Sequence, residues 1–155
     1  MKSIKAGTFK FIENWEIKRV DASTGQILDI EKKCNMIVND GLERMAKLIN
    51  DESSVYFRAL AIGTGTTSVV ATDTDLETEY TRELASLSYE ALYKAKFEKT
   101  FTFGSGVAED ITEAGIFDSA TASGSTMLAR TTFSAKSVSQ AINLIITATI
   151  TVARV

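Results

Sequence analysis

With 155 residues, 45% hydrophobic and 24% charged, the chain is long enough for one domain with a real core. The net charge of −3 argues against a general nucleic-acid binder, which gains affinity by neutralising phosphates. No apolar run approaches the roughly 18 residues of a membrane helix. Histidine and proline are absent and cysteine occurs once, at Cys34. These absences remove Ser-His-Asp and Cys-His catalysis, the commonest partner ligand of zinc sites, and an intramolecular disulfide. Carboxylate, lysine or tyrosine chemistry is left open. The basic start, Met1-Lys2-Ser3-Ile4-Lys5, runs at once into polar and charged residues, so no signal peptide is expected.

Residues 8–20 alternate as a half-buried strand, with Phe9, Phe11, Trp15 and Ile17 on one face and Glu13 the exception there. Asp21 to Gly25 reads as a turn, and a second strand from Gln26 to about Val38 completes a long hairpin. Asp40 to Ile49 predicts the one short α-helix. Asp40 and Glu43 have capping-box spacing, and Leu42, Met45, Ala46 and Ile49 form an amphipathic face. Tyr56 to Ile62 reads as a short buried strand, and Gly63 to about Thr74 as a loop. Residues 76–92 fit helix or extended chain. Lys94 to Phe103, Ile111 to Phe117, Met127 to Phe133 and Ile142 to Val155 read as strands. The last is the clearest, with Ile142, Leu144, Ile146, Ala148, Ile150 and Val152 on one face. Seven to eight strands with one helix predict a mainly β fold, an antiparallel β-sandwich or flattened barrel. The whole of 1–155 reads as one domain with a short N-terminal extension over 1–7.

Candidate chemistry is sparse. Gly63-Thr64-Gly65 lacks the Lys-Ser/Thr of a Walker loop and the third glycine of a dinucleotide fingerprint, so a tight turn leaving a strand is the better reading. Asp73, Asp75, Glu77 and Glu79 would share a face of an extended segment and carry the charge for a hard cation such as calcium. The EF-hand pattern fails at Thr78 and Leu84. A solvated acidic edge or salt-bridge partners is the plainer reading, and no metal or cofactor is expected. Glu109 with Asp110, or Glu113 with Asp118, have the groups for acid–base work but no cleft context. Cys34 lacks an activating histidine and reads as a packed small residue on an apolar strand. Trp15, Phe9 and Phe11 read as core or subunit interface rather than as a stacking platform.

A set of blocks in fixed order is more informative. Thr24-Gly25 is followed by Asn35-Met36-Ile37-Val38-Asn39-Asp40-Gly41-Leu42, then Ala59-Leu60-Ala61-Ile62-Gly63-Thr64-Gly65-Thr66-Thr67. Next come Asp73-Thr74, Leu76, Glu79, Arg82, Glu113-Ala114-Gly115-Ile116-Phe117 and Met127-Leu128-Ala129-Arg130. No single block is specific, but their order from about Trp15 to the C-terminus resembles a module of tailed-bacteriophage virion proteins, head-decoration-like or tail-fibre-like. The resemblance implies a β-sandwich that assembles into oligomers on the particle, with no enzyme activity and no catalytic residues. Without stalk repeats or a receptor-binding tip, a free-standing module fits a capsid decoration (cement) protein better than a fibre. Such a protein would be a homo-oligomer, a trimer favoured, bound to the major capsid protein or another virion protein. Nucleic acid and membrane are not expected partners. Its place would be the virion, assembled in the host cytoplasm. Edge strands and residues 1–7 would suit addition to a neighbour's sheet. Shared charge and block membership suggest two polar pairs, Glu79 with Arg82 and Glu113 with Arg130. The alternatives are a tail or neck adaptor or fibre-attachment protein, and a carbohydrate-binding β-sandwich using Tyr56, Tyr80 or Tyr93.

Overall fold

The computed structural model describes residues 7–154. Apart from Gly7, the N-terminal extension expected over 1–7 lies outside the described residues. The elements in chain order are β1 (Phe9–Asp21), β2 (Ile27–Lys33), β3 (Met36–Ile37), α1 (Asn39–Ile49), β4 (Ala59–Gly63), β5 (Glu79–Leu84), β6 (Ser86–Glu90), β7 (Lys94–Phe101), β8 (Ala108–Phe117), β9 (Met127–Ser139) and β10 (Ile142–Arg154).

All pairings are antiparallel, and they fall into two groups. One layer runs β2-β1-β10-β7-β6. The other runs β3-β9-β8-β4-β5. A single pair, Ile142 with Ser139 at the β9–β10 turn, joins them into one continuous sheet. The sheet folds over at that turn to make an antiparallel β-sandwich, open rather than closed, with one short helix among the described residues. The ten strands among those residues exceed the seven to eight expected. The extended reading of 76–92 resolves into two strands, and the strand expected over 26–38 breaks into β2 and β3.

The core lies between the layers. Trp15, Ile17, Phe97, Phe101, Leu144 and Ile146 from one layer meet Leu60, Ile62, Ile111, Ile116 and Phe133 from the other. The alternation of β10 delivers this face directly: Leu144, Ile146, Ala148 and Ile150 are all buried, and only the terminal Val152 emerges. β4 is buried on both faces. Its even-numbered residues Leu60 and Ile62 face the core. Ala59 and Ala61 join Val38, Leu76, Phe117 and Met127 in a second apolar cluster.

The helix departs from its sequence pattern. Gly41 is its one buried residue, while Arg44, Met45 and Leu48 are half-buried. Leu42, Ala46 and Ile49 of the expected inward face are exposed, Ile49 at 86%. A Cβ on Gly41 would stand 2.8 Å from the Leu128 Cα. This close approach fixes the helix's rotation and sends positions 41, 44/45 and 48 inward. The capping box is also absent. Val38 is the N-cap without a side-chain bond, and the Asn39 N–H donates to the Ala71 carbonyl. Cys34 is exposed rather than packed, because β2 ends at Lys33 and the chain leaves the sheet before β3. Its thiol donates to Asn14 Oδ1 at 3.3 Å. No helix among the described residues is long and apolar enough to cross a membrane.

Candidate functional site

Between β4 and β5 the chain leaves the sheet as a strap, residues 64–78, whose two ends meet where the Thr64 N–H donates to the Thr78 carbonyl at 2.9 Å. Beneath the strap lies Glu113 of β8, opposite Gly63 in register and wholly buried. Its Oε1 accepts from the backbone N–H groups of Gly65 (3.0 Å) and Thr78 (2.8 Å). Its Oε2 accepts from the Glu77 N–H (3.1 Å) and from Arg130 Nε (2.9 Å). Four bonds are the capacity of a carboxylate, so none is left for a substrate or an ion. Gly65 must be glycine for the same reason: a Cβ there would stand 2.5 Å from Glu113 Oε1.

Arg130 of β9 stands opposite Gly115 in register, and the space a Gly115 side chain would take is filled by the Phe117 ring and Leu76. From Glu113 it reaches up into the strap. Its Nη1 donates to Asp73 Oδ2 at 2.9 Å and its Nη2 to the Thr67 carbonyl at 3.2 Å. Burial disfavours the guanidinium charge, but the Asp73 and Glu113 carboxylates outweigh it and raise the pKa above its ordinary value. Glu77 closes the other side, accepting from the N–H groups of Thr66 (2.7 Å) and Thr67 (2.8 Å). The bonds from the Thr67 backbone and hydroxyl hold the Glu77 carboxyl below the usual range.

Two further arginines fasten neighbouring loops. Arg82 donates to both oxygens of Glu79, at 3.2 and 2.6 Å, and its Nη1 donates to the Ser125 hydroxyl. Its guanidinium carbon lies 3.5 Å from the centre of the Phe117 ring. Arg44 of the helix donates to Asp118 Oδ2 (2.6 Å) and Thr126 Oγ1 (2.7 Å). Glu113 and Arg130 thus meet, as do Glu79 and Arg82. The four acidic residues weighed for a cation do not converge, because 73–78 is looped rather than extended. Asp73 and Glu77 turn to Arg130, Glu79 turns to Arg82, and Asp75 is exposed. Among the described residues no cluster of three or more acidic or cysteine side chains has metal-holding geometry. Glu109 is exposed and Asp110 accepts from the Ser137 hydroxyl at 2.6 Å, while Glu113 and Asp118 serve separate arginines. Tyr56, Tyr80 and Tyr93 are all exposed, on different segments.

Sequence reasoning missed three features. The first is the Arg44–Asp118 tie, for which a helix-face arginine gives no signal of its partner. The second closes the sandwich edge. Lys136 of β9 sits between Asp29 Oδ1 (3.3 Å) and Glu31 Oε2 (2.9 Å) of β2. Burial pushes the Glu31 carboxyl up, but bonds from Ser134 and Lys136 prevail and hold it at about 2. The third is Glu13, whose signal was its charge on an apolar strand face. It is 3% exposed, and burial pushes its pKa up to about 7. The Trp15 indole and the Asn35 backbone N–H lie near enough to pull that value down, yet neither makes a bond of ordinary geometry with it.

In comparisons with known proteins, no family model, no curated protein and no solved structure matches this chain.

Proposed function

We propose that this chain is a non-enzymatic structural protein of a tailed-bacteriophage virion, a capsid decoration protein that binds the assembled shell as a homo-oligomer, with a trimer favoured. The observation that carries the reading is the convergence of the ordered sequence blocks. Gly63-Thr64-Gly65, Asp73, Glu113 and Arg130 come from four separate blocks, and they meet in the buried node under the strap. Four of the blocks on which the resemblance rests are therefore tied to one architectural device, while Thr24-Gly25 and the Glu79–Arg82 pair lie outside it. That device stiffens a surface loop and leaves its carboxylate no free lone pair, which suits a scaffold better than a reaction site. Loops fastened by buried charge pairs also suit a module that must present a fixed outer surface to a symmetric lattice, where weak contacts add through effective concentration.

Labelling intact particles from a phage that encodes the chain, with an antibody raised against it, tests the reading. Label distributed over the head supports a decoration protein. Label at the neck or tail replaces it with the adaptor reading, and particles free of label overturn both.

A further inference from the structure

The face at the open end of the sandwich, where β1 begins and β10 ends, carries an unusual combination. The β6–β7 hairpin turns through Ala91, Leu92 and Tyr93, between the paired Glu90 and Lys94. Leu92 and Tyr93 both adopt left-handed backbone, with φ of 67° and 68°. Such turns ordinarily take glycine or asparagine, because a Cβ is disfavoured there. Here two bulky side chains occupy them and stand free, Leu92 at 73% and Tyr93 at 69% exposure. Backbone strain and exposed apolar surface thus coincide at one hairpin tip, and strained residues of this kind gather at functional surfaces.

Beside this protruding tip lies a hollow. A cavity of about 420 Å³ opens between the layers, walled by Phe11, Met45, Phe57, Tyr89 and Leu128 among others, with no exposed polar atom in its lining. A second groove, formed by Phe9, Leu92, Tyr93 and Val152, shares Tyr93 and Val152 with it, so the apolar surface is continuous. Taking ~200 Å² for a free aromatic side chain, the exposed fractions of Phe9, Phe11, Tyr89, Leu92, Tyr93 and Val152 amount to roughly 700 Å². That exceeds the few hundred Å² usual for an apolar patch on a monomer and is close to the ~800 Å² each partner gives to a stable interface.

We infer that this face binds a second copy of the same chain, the Leu92–Tyr93 tip of one copy entering the apolar cavity of the next. A convex apolar knob and an apolar hollow of matching chemistry lie side by side on one surface. Such self-complementarity is what association of identical subunits requires. The inference deepens the oligomeric part of the function proposed above by naming its surface.

The test is the solution mass of the full chain, by light scattering after size-exclusion chromatography at micromolar concentrations, for the wild type, Leu92→Asp and Leu92→Gly. The wild type is expected at a multiple of the single-chain mass and Leu92→Asp at one chain. Leu92→Gly keeps the hairpin and relieves its backbone strain. It should melt no lower than the wild-type subunit while associating roughly tenfold or more weakly. A monomeric wild type overturns the inference. A multimer unmoved by both substitutions overturns this surface alone and leaves the virion reading standing.

Discussion

Replacing Glu13 with glutamine isolates the energetic consequence of a lone carboxyl in the sandwich. Burial raises its pKa from 4.5 to about 7 in the folded chain. Between those values the folded state holds a proton that the unfolded state has released, so stability falls as pH rises across that window and is level outside it. Two and a half pKa units correspond to about 3 kcal/mol. For a chain of this length that is a change in midpoint of about 6–12 °C. Glu13→Gln keeps the shape and removes the titration. The variant should match the wild type near pH 4.5 and exceed it by about 3 kcal/mol at pH 8. Urea unfolding at half-unit steps of pH reads both curves. The depressed carboxylates do not confuse the result. Glu31, at about 2, contributes stability that is present above 4.5 and is lost only as pH falls towards 2. A difference between variant and wild type that stays constant from pH 5 to 8 would refute the reasoning.

Three other perturbations test the architecture. Arg130→Ala leaves Glu113 buried and charged without its cation, and should cost about 3–5 kcal/mol by urea unfolding and open residues 64–78 to proteolysis; a loss below about 1 kcal/mol would mean the node contributes little. Ile49→Ser should change stability by no more than about 0.5 kcal/mol, because the side chain stands in solvent despite its place in the helical pattern; a large loss in thermal melts would place that face inward. Calcium and chelator should leave the melting midpoint unchanged, since Asp73, Glu77 and Glu79 are each bound to arginine or backbone donors, and a calcium-dependent rise would show that they rearrange to share an ion.

Where burial followed from alternation alone, the fold was legible in the sequence. β1 and β10 show this well: thirteen paired positions run from Phe9 with Arg154 to Asp21 with Ile142, and Trp15, Ile17, Leu144, Ile146, Ala148 and Ile150 share the core face, with Ile12, Val20 and Ile145 off it. Alternation says nothing about contacts between layers or with loops. The helix shows the limit. Its hydrophobic pattern favoured Leu42 and Ile49, but the backbone of Leu128 admits only Gly41 at the contact, and that one steric fact turned the apolar residues outward. The node was legible in part, since the charges of Glu113 and Arg130 on otherwise apolar strands demand partners. That the partners would include three backbone N–H groups of the strap depends on its path, which local pattern does not encode.

The positions that break local rules are informative for the same reason. Glutamate on the inner face of β1, and leucine and tyrosine at left-handed turn positions, contradict what burial and turn chemistry ask of those sites. Glu113 and Arg130 break the burial rule as well, but each is met by partners within the chain. Glu13, Leu92 and Tyr93 are not. Among the described residues Glu13 has no hydrogen-bond partner, and Leu92 and Tyr93 remain 73% and 69% exposed. A defect that the isolated subunit leaves uncompensated is one that assembly can relieve, and Phe11, next to Glu13 on the same face of β1, walls the cavity beside the strained tip.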